Sequence, residues 1–259
     1  MKKLIALLLA LTMIVGLVAC GASAPAETEA APAETQAAAA ETQAAAAAPA
    51  ENTVELPRNE TLYFAGQQWG TVNSWNVIGT NQNNAMAIAG GPSGYRTLMF
   101  ETLYMYNPLD GSIIGLLAND DYAWNEDMTQ MTLTIKSAAK WSDGTPVTAA
   151  DVARTWEIGV QIANGTGTTY GAYIDSIVAD GQTVTINAKL TDEGKPVNPL
   201  KILDFLTGVP IAQAAWIDVV VERCGGDATA ILNDAGEDVV WSGPYTKYYA
   251  DDQKVVLIR

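Results

Sequence analysis

From residue 131 the chain alternates between apolar and polar side chains. Met131, Leu133 and Ile135 are separated by Thr132 and Thr134 and followed by Lys136. A period of two predicts a strand with one buried face. Two further strands are predicted at 174–178 and 184–190, joined at Asp180-Gly181, a dipeptide suited to a tight hairpin. Between these strands the period lengthens. Thr148 stands three residues before Asp151, close to a capping box with Asp in place of Glu. Val152, Trp156 and Val160 then recur every four residues, which predicts a helix with a buried stripe along them. Leu98, Met99, Leu103 and Met105 within 95–106 predict a buried helix running into a strand. Residues 107–111 (Asn-Pro-Leu-Asp-Gly) and Asp143-Gly144 are turns by composition. Residues 62–65 and 255–258 have strand composition, 66–84 are polar and irregular, and 196–216 are mixed and partly helical.

Before residue 57 the pattern is of another kind. Lys2 and Lys3 precede an apolar run from Leu4 to Val18, short for a membrane span but suited to the apolar region of a signal peptide. The run ends in Leu17-Val18-Ala19-Cys20, which resembles a bacterial lipobox, with Cys20 as the lipid attachment site and the new N-terminus. An ordinary signal peptide with an incidental Cys, or an uncleaved anchor, are the alternatives. Residues 21–56 follow as an Ala/Glu/Thr-rich linker: sixteen of residues 21–50 are Ala, and no aromatic residue occurs. Such a stretch cannot bury enough apolar surface to offset chain entropy. As a coil of 36 residues it spans about 33 Å on average.

All seven Trp, ten Tyr and three Phe lie in 57–259, so the core must form there. That span holds 12 basic and 23 acidic residues, a net charge of −11, which argues against nucleic acid and against a polybasic membrane patch. The chain has no His, which removes imidazole bases, Ser-His and Cys-His pairs and imidazole metal sites. With Cys20 lipidated, Cys224 is the one thiol left and no intramolecular disulfide is possible. Ser137-Ala138-Ala139-Lys140 fits S-x-x-K but follows a strand and enters a turn, where Lys cannot return to Ser. Gly165-Thr166-Gly167 with Gly171 misses the dinucleotide spacing and follows a helix. Neighbouring side chains of Asp120-Asp121 and Asp251-Asp252 point to opposite faces on a strand. Nothing in the chain supports an enzyme, a metal site or a cofactor.

Three segments together resemble the family 5 extracellular solute-binding proteins of ABC importers. They are "FETLYMYNP" at 100–108, "MTLTIKSAAKWSDGTPVTAADV" at 131–152 and "GPYTKYYADDQKVVLIR" at 243–259. Glu101-Thr102 replaces a commoner Glu-Gly pair of that family. The resemblance implies a mixed α/β, bilobed, periplasmic-binding-protein-like fold and no catalytic role. It implies one subdomain over 104–206 and a second made of 57–103 with 207–259. Members of the family are longer, so the 57–259 stretch is expected to be the first-lobe region, the N-terminal part of the solute-binding domain. Asp143, Gly144 and Thr148 are expected to be scaffold.

The same resemblance puts the ligand in loops facing the cleft. Candidate ligand-binding residues are Gln67, Gln68, Trp69, Asn73, Trp75 and Asn76, where flat rings stand beside amide groups. Gly90 and Gly91 would let a backbone come close, and Tyr170 follows the signature helix. For Trp69 and Trp75 an ordinary core role is equally open, and for Tyr170 it is the favoured alternative. Expected partners are an oligopeptide or an oligosaccharide of cello- or xylo-type, the permease subunits of the importer, and the membrane through the lipid on Cys20. A nickel chelate is a further ligand class, disfavoured by the absence of His, and a structural surface lipoprotein is the rival from another class.

Overall fold

The computed structural model describes residues 74–79, 98–250 and 255–259, all within the unit Leu62–Arg259. The predicted alternation is strand β4 (Gln130–Thr134), where Met131 and Leu133 are buried and the residues between them half-buried. With β3 (Ala123–Trp124), β5 (Ile174–Asp180) and β6 (Thr183–Ala188) it forms an antiparallel sheet in the order β3-β4-β6-β5. The expected hairpin forms between the last two: Asp180 pairs with Thr183, and Gly181 makes the reversal at φ 58°, which costs glycine little. A second hairpin joins β1 (Tyr104–Tyr106) to β2 (Ile113–Gly115). Its turn is set by Asn107 and Asp110, whose side chains accept the N–H groups of Leu109 and Ser112. A third hairpin pairs β7 (Thr246–Ala250) with β8 (Val255–Ile258).

The predicted helix is α1 (Ala149–Gln161), and the capping box at its start forms, with Asp151 accepting the Thr148 N–H at 2.8 Å. Val152 and Trp156 are buried, but Val160 is 50% exposed. Burial is continued instead by Ile158 and Ile162, which face a second core. The other helices among the described residues are α2 (Gly165–Tyr170), α3 (Leu200–Gly208), α4 (Ala214–Arg223) and α5 (Ala228–Asn233).

The helix expected within 95–106 is not present over residues 98–103. The Gly243 N–H bonds Met99 O at 2.8 Å and the Tyr245 N–H bonds Leu98 O at 3.0 Å. The apolar spacing there fits a helix or an irregular buried run, and distant backbone partners decide for the latter. The strand expected at 62–65 lies outside the described residues.

Among the described residues, buried side chains gather in two clusters. One holds the four-stranded sheet, Trp141, Tyr170 and Phe205; the other holds Trp75, Phe100, Trp216, Ile231 and Trp241. Helix α1 belongs to both, giving Val152, Ala153 and Trp156 to the first and Ile158, with Ile162 at its C-cap, to the second.

Candidate functional site

The stretch Trp141–Val152 makes the joint between the two clusters. The Thr145 N–H and hydroxyl both reach Asp143 Oδ1, at 2.9 and 2.6 Å, and Gly144 takes φ 85°, so the turn closes on itself. Ser142 bonds Trp241 in both directions: its N–H to Trp241 O at 2.7 Å, and its Oγ from the Trp241 N–H at 3.0 Å. Asp151 lies beneath, 5% exposed. Its Oδ2 accepts from the Thr148 N–H and hydroxyl and from Trp141 Nε1 at 3.3 Å. Its Oδ1 accepts from the Ala214 N–H at 2.8 Å. Ala214 opens α4, and the preceding Gln213 offers no side-chain cap of its own. One carboxylate therefore caps two helices and ties α1 to α4. The Thr155 hydroxyl adds a second tie, donating to Asp151 O and accepting the Ala212 N–H at 3.0 Å.

Gln67, Gln68, Trp69, Asn73, Gly90, Gly91 and Cys20 lie outside the described residues. Trp75, Asn76 and Tyr170 are inside and buried. Trp75 meets Trp241 edge-on at 5.9 Å, and Lys247 Nζ stands 4.7 Å from its ring centre. The Asn76 side chain donates to Ile231 O at 2.8 Å and accepts the Ile78 N–H at 3.0 Å. Tyr170 stands edge-on to Phe205 at 5.5 Å, and burial, then the neighbouring Asp204, pushes its hydroxyl pKa up. Trp75 belongs to the second cluster, with Asn76 next to it in the chain, whereas Tyr170 packs in the first.

Asn164, which the sequence reading passed over, connects these places. Its Oδ1 accepts the N–H groups of Thr166 and Gly167 and so caps α2, while its Nδ2 donates to Ile78 O at 3.1 Å. The nearby glycines serve helix packing: a Cβ on Gly167 would come within 2.1 Å of Gly159 O. Residues 137–140, which fit S-x-x-K, form a turn and a bridge from Lys140 to Pro146 rather than a helix. Asp120 and Asp121 diverge as expected, toward the Gly115 N–H and toward Thr134.

The charged groups around residues 74–79 form a compact set. Arg223 Nε donates to Asp234 Oδ2 at 2.8 Å and Nη1 donates to Asp238 Oδ2 at 2.6 Å. The Arg223 guanidinium holds the Asp238 carboxyl below the usual carboxylate range. Glu101, at the crossing between the clusters, has its carboxyl pKa pushed up by burial against the opposing pull of Lys136. A shallow groove of about 400 Å³ runs between α1 and β5, lined among others by Trp156, Val160, Asp175 and Lys189. Of the expected ligand residues that are described, Trp75, Asn76 and Tyr170, none lines it.

Residues 112–259 match the family described as bacterial extracellular solute-binding proteins, family 5 Middle. A Deinococcus radiodurans protein named "Probable ABC transporter-binding protein" is 25% identical over 199 residues, which are 73% of this chain and 32% of that protein. The crystal structure of a periplasmic oligopeptide-binding protein of an ABC transporter from Thermotoga maritima is similar with a TM-score of 0.60 and 25% identity. That match covers 77% of this chain and 33% of the other. A mannohexaose-bound structure of the Thermotoga protein is similar with a TM-score of 0.59 and 23% identity, over 78% of this chain and 34% of the other. The chain thus spans about a third of the length of these relatives, and its mixed α/β architecture is periplasmic-binding-protein-like.

Proposed function

The chain belongs to the bacterial extracellular solute-binding proteins of family 5, and from that membership we propose that it captures solutes outside the cytoplasm for an ABC importer. The observation that carries the proposal is the match over residues 112–259, which includes Trp141–Val152 and β7–β8. The role is binding and delivery, with no chemical step on the solute. An oligopeptide is the favoured ligand class, in keeping with the Thermotoga relative named as an oligopeptide-binding protein. An oligosaccharide is the second reading, favoured by the Trp- and Asn-rich "QQWGTVNSWN" at 67–76 and by the mannohexaose in that relative.

In this reading Gln68, Trp69, Asn73, Gly90 and Gly91 face the solute. Trp75, Asn76 and Tyr170, buried with partners of their own, act as the backing that sets those loops. In the same reading one subdomain spans 104–206 and the other combines 57–103 with 207–259. The first cluster draws mostly on the former and the second on the latter, although Leu103, Val209 and Ile211 pack in the first and Ile158 and Ile162 in the second. Cys20 carries the lipid that holds the domain to the membrane, and the importer's permease subunits are its protein partners. A thermal-shift screen of peptides and oligosaccharides separates the ligand classes. Ligand at about 100 times its Kd adds about 2.7 kcal/mol, readily seen as a raised midpoint. Shifts with peptides alone support the first reading and shifts with oligosaccharides alone the second; no shift with either counts against solute capture.

A further inference from the structure

Residues 74–79 are held from one side by a stretch that has little regular structure of its own. The Trp75 N–H donates to Ala235 O at 2.7 Å, the Ser74 hydroxyl to Asp234 O at 2.9 Å, and Asn76 Nδ2 to Ile231 O at 2.8 Å. Gly236, at φ 62°, lies flat against the same segment, where a Cβ would come within 2.6 Å of Asn76 N. All of these contacts fall on residues 231–236, at and just beyond the end of α5. Beyond Asn233 that loop runs to Trp241 without helix or strand, so its shape needs another source.

We propose that Arg223 is a positioning residue for the solute-facing segment, holding residues 234–238 as a bracket on which residues 74–79 hang. The inference rests on the assignment of Gln68, Trp69 and Asn73 to the solute: Asn73 directly precedes Ser74 in the chain, and Gln68 and Trp69 stand six and five residues before it. Arg223 projects from the last turn of α4 and engages Asp234 with Nε and Nη2 and Asp238 with Nη1. Both carboxylates are further fixed: Asp234 Oδ1 accepts the Gly236 N–H at 2.8 Å, and Asp238 Oδ1 accepts Trp216 Nε1 at 3.1 Å. A planar fork can hold two carboxylates in set directions, whereas a lysine ammonium is a point charge. The Arg223 and Asp238 side chains are 34% and 49% exposed, whereas Asp234 is 14% exposed and takes two of the three Arg223 bonds. A two-bond fork on a mostly buried carboxylate holds more firmly than a single exposed pair, and what it holds in place is the loop at 234–238.

Hydrogen exchange of the Trp75 amide in the 259-residue chain reads this directly. In Arg223→Gln, that amide exchanges about tenfold faster or more, as expected for a lost local closure, while amides of β4 and β6 keep their rates. Arg223→Lys behaves like Arg223→Gln, because it restores the charge and not the fork. Asp238→Asn and Gly236→Ala open the same amide by independent routes, so the inference stays decidable should Arg223→Gln not fold. An unchanged Trp75 rate overturns the inference. So does an equal acceleration in β4 and β6, which would make the role one of global stability. Calorimetric titration with mannohexaose and with a mixed pentapeptide pool supplies the second arm. A probe that binds the wild type should bind Arg223→Gln about tenfold more weakly, a loss of about 1.4 kcal/mol, and equal affinity overturns the positioning role. If the wild type binds neither probe, that outcome counts against these two ligand classes, while the exchange rates still decide the bracket.

Discussion

Replacing Asp151 with Ala tests whether one carboxylate joins the two clusters. The substitution leaves the Thr148 and Ala214 N–H groups and the Trp141 indole N–H without their acceptor, in a place where Asp151 itself is 5% exposed. An unsatisfied buried donor costs about 1–3 kcal/mol, and loss of a helix cap about 0.5–2 kcal/mol. Because these effects overlap and water can reach some of the donors, a total of about 3–5 kcal/mol is expected, not the full sum. That is a large part of the ~5–15 kcal/mol typical of a folded protein. Asp151→Asn keeps the shape but must turn its amide NH2 toward either Ala214 or the Thr148–Trp141 pair. It should lose about 2 kcal/mol. Urea unfolding followed by far-UV circular dichroism measures both losses as midpoint shifts at constant slope. Asp143→Ala is the comparison, since its carboxyl is exposed though also hydrogen-bonded. A loss for Asp151→Ala below about 1 kcal/mol, or no larger than for Asp143→Ala, would refute the double-cap argument.

Gly167→Ala should destabilise by about 1–3 kcal/mol, because its Cβ would meet Gly159 O at 2.1 Å; a neutral result in the same unfolding assay contradicts the close α1–α2 approach. Glu101 has a folded-state pKa raised above 4.5 by burial. Its contribution to stability is therefore present below that value and lost as pH rises through the folded pKa. Glu101→Gln, which mimics the neutral form, should raise the melting temperature at pH 7 and lose its advantage below about pH 4; an advantage independent of pH would contradict this. Cys20→Ala should abolish lipid attachment, and mass spectrometry of wild-type chains that start elsewhere without lipid would sink the lipobox assignment.

Local rules carried the sequence reading furthest. The alternation at 131–135 and the Thr148–Asp151 box are legible because neighbours a few residues apart decide them. Residues 98–103 are not, since their backbone partners at 242–245 lie far along the chain. Val160 fell outside the buried stripe for a related reason: the far end of α1 turns its burial toward a second core through Ile158 and Ile162. The second role of Asp151, as acceptor for Ala214, depends on how two distant helices meet. Asn164 had a readable signal, an Asn directly before "GTGTTY", which suits a helix cap. Trp and Asn side by side at 75–76 describe a ligand surface or a core equally well by composition, and that both are buried depends on partners at 231–241 far along the chain.

Solute uptake is the most direct test of the account. Cells with this gene deleted and the importer's other subunits intact should lose saturable uptake of labelled oligopeptides, or of labelled oligosaccharides under the second reading. Restoring the gene should restore the uptake. Unchanged uptake of both solute classes in the deletion strain would contradict the assignment of this protein to solute capture.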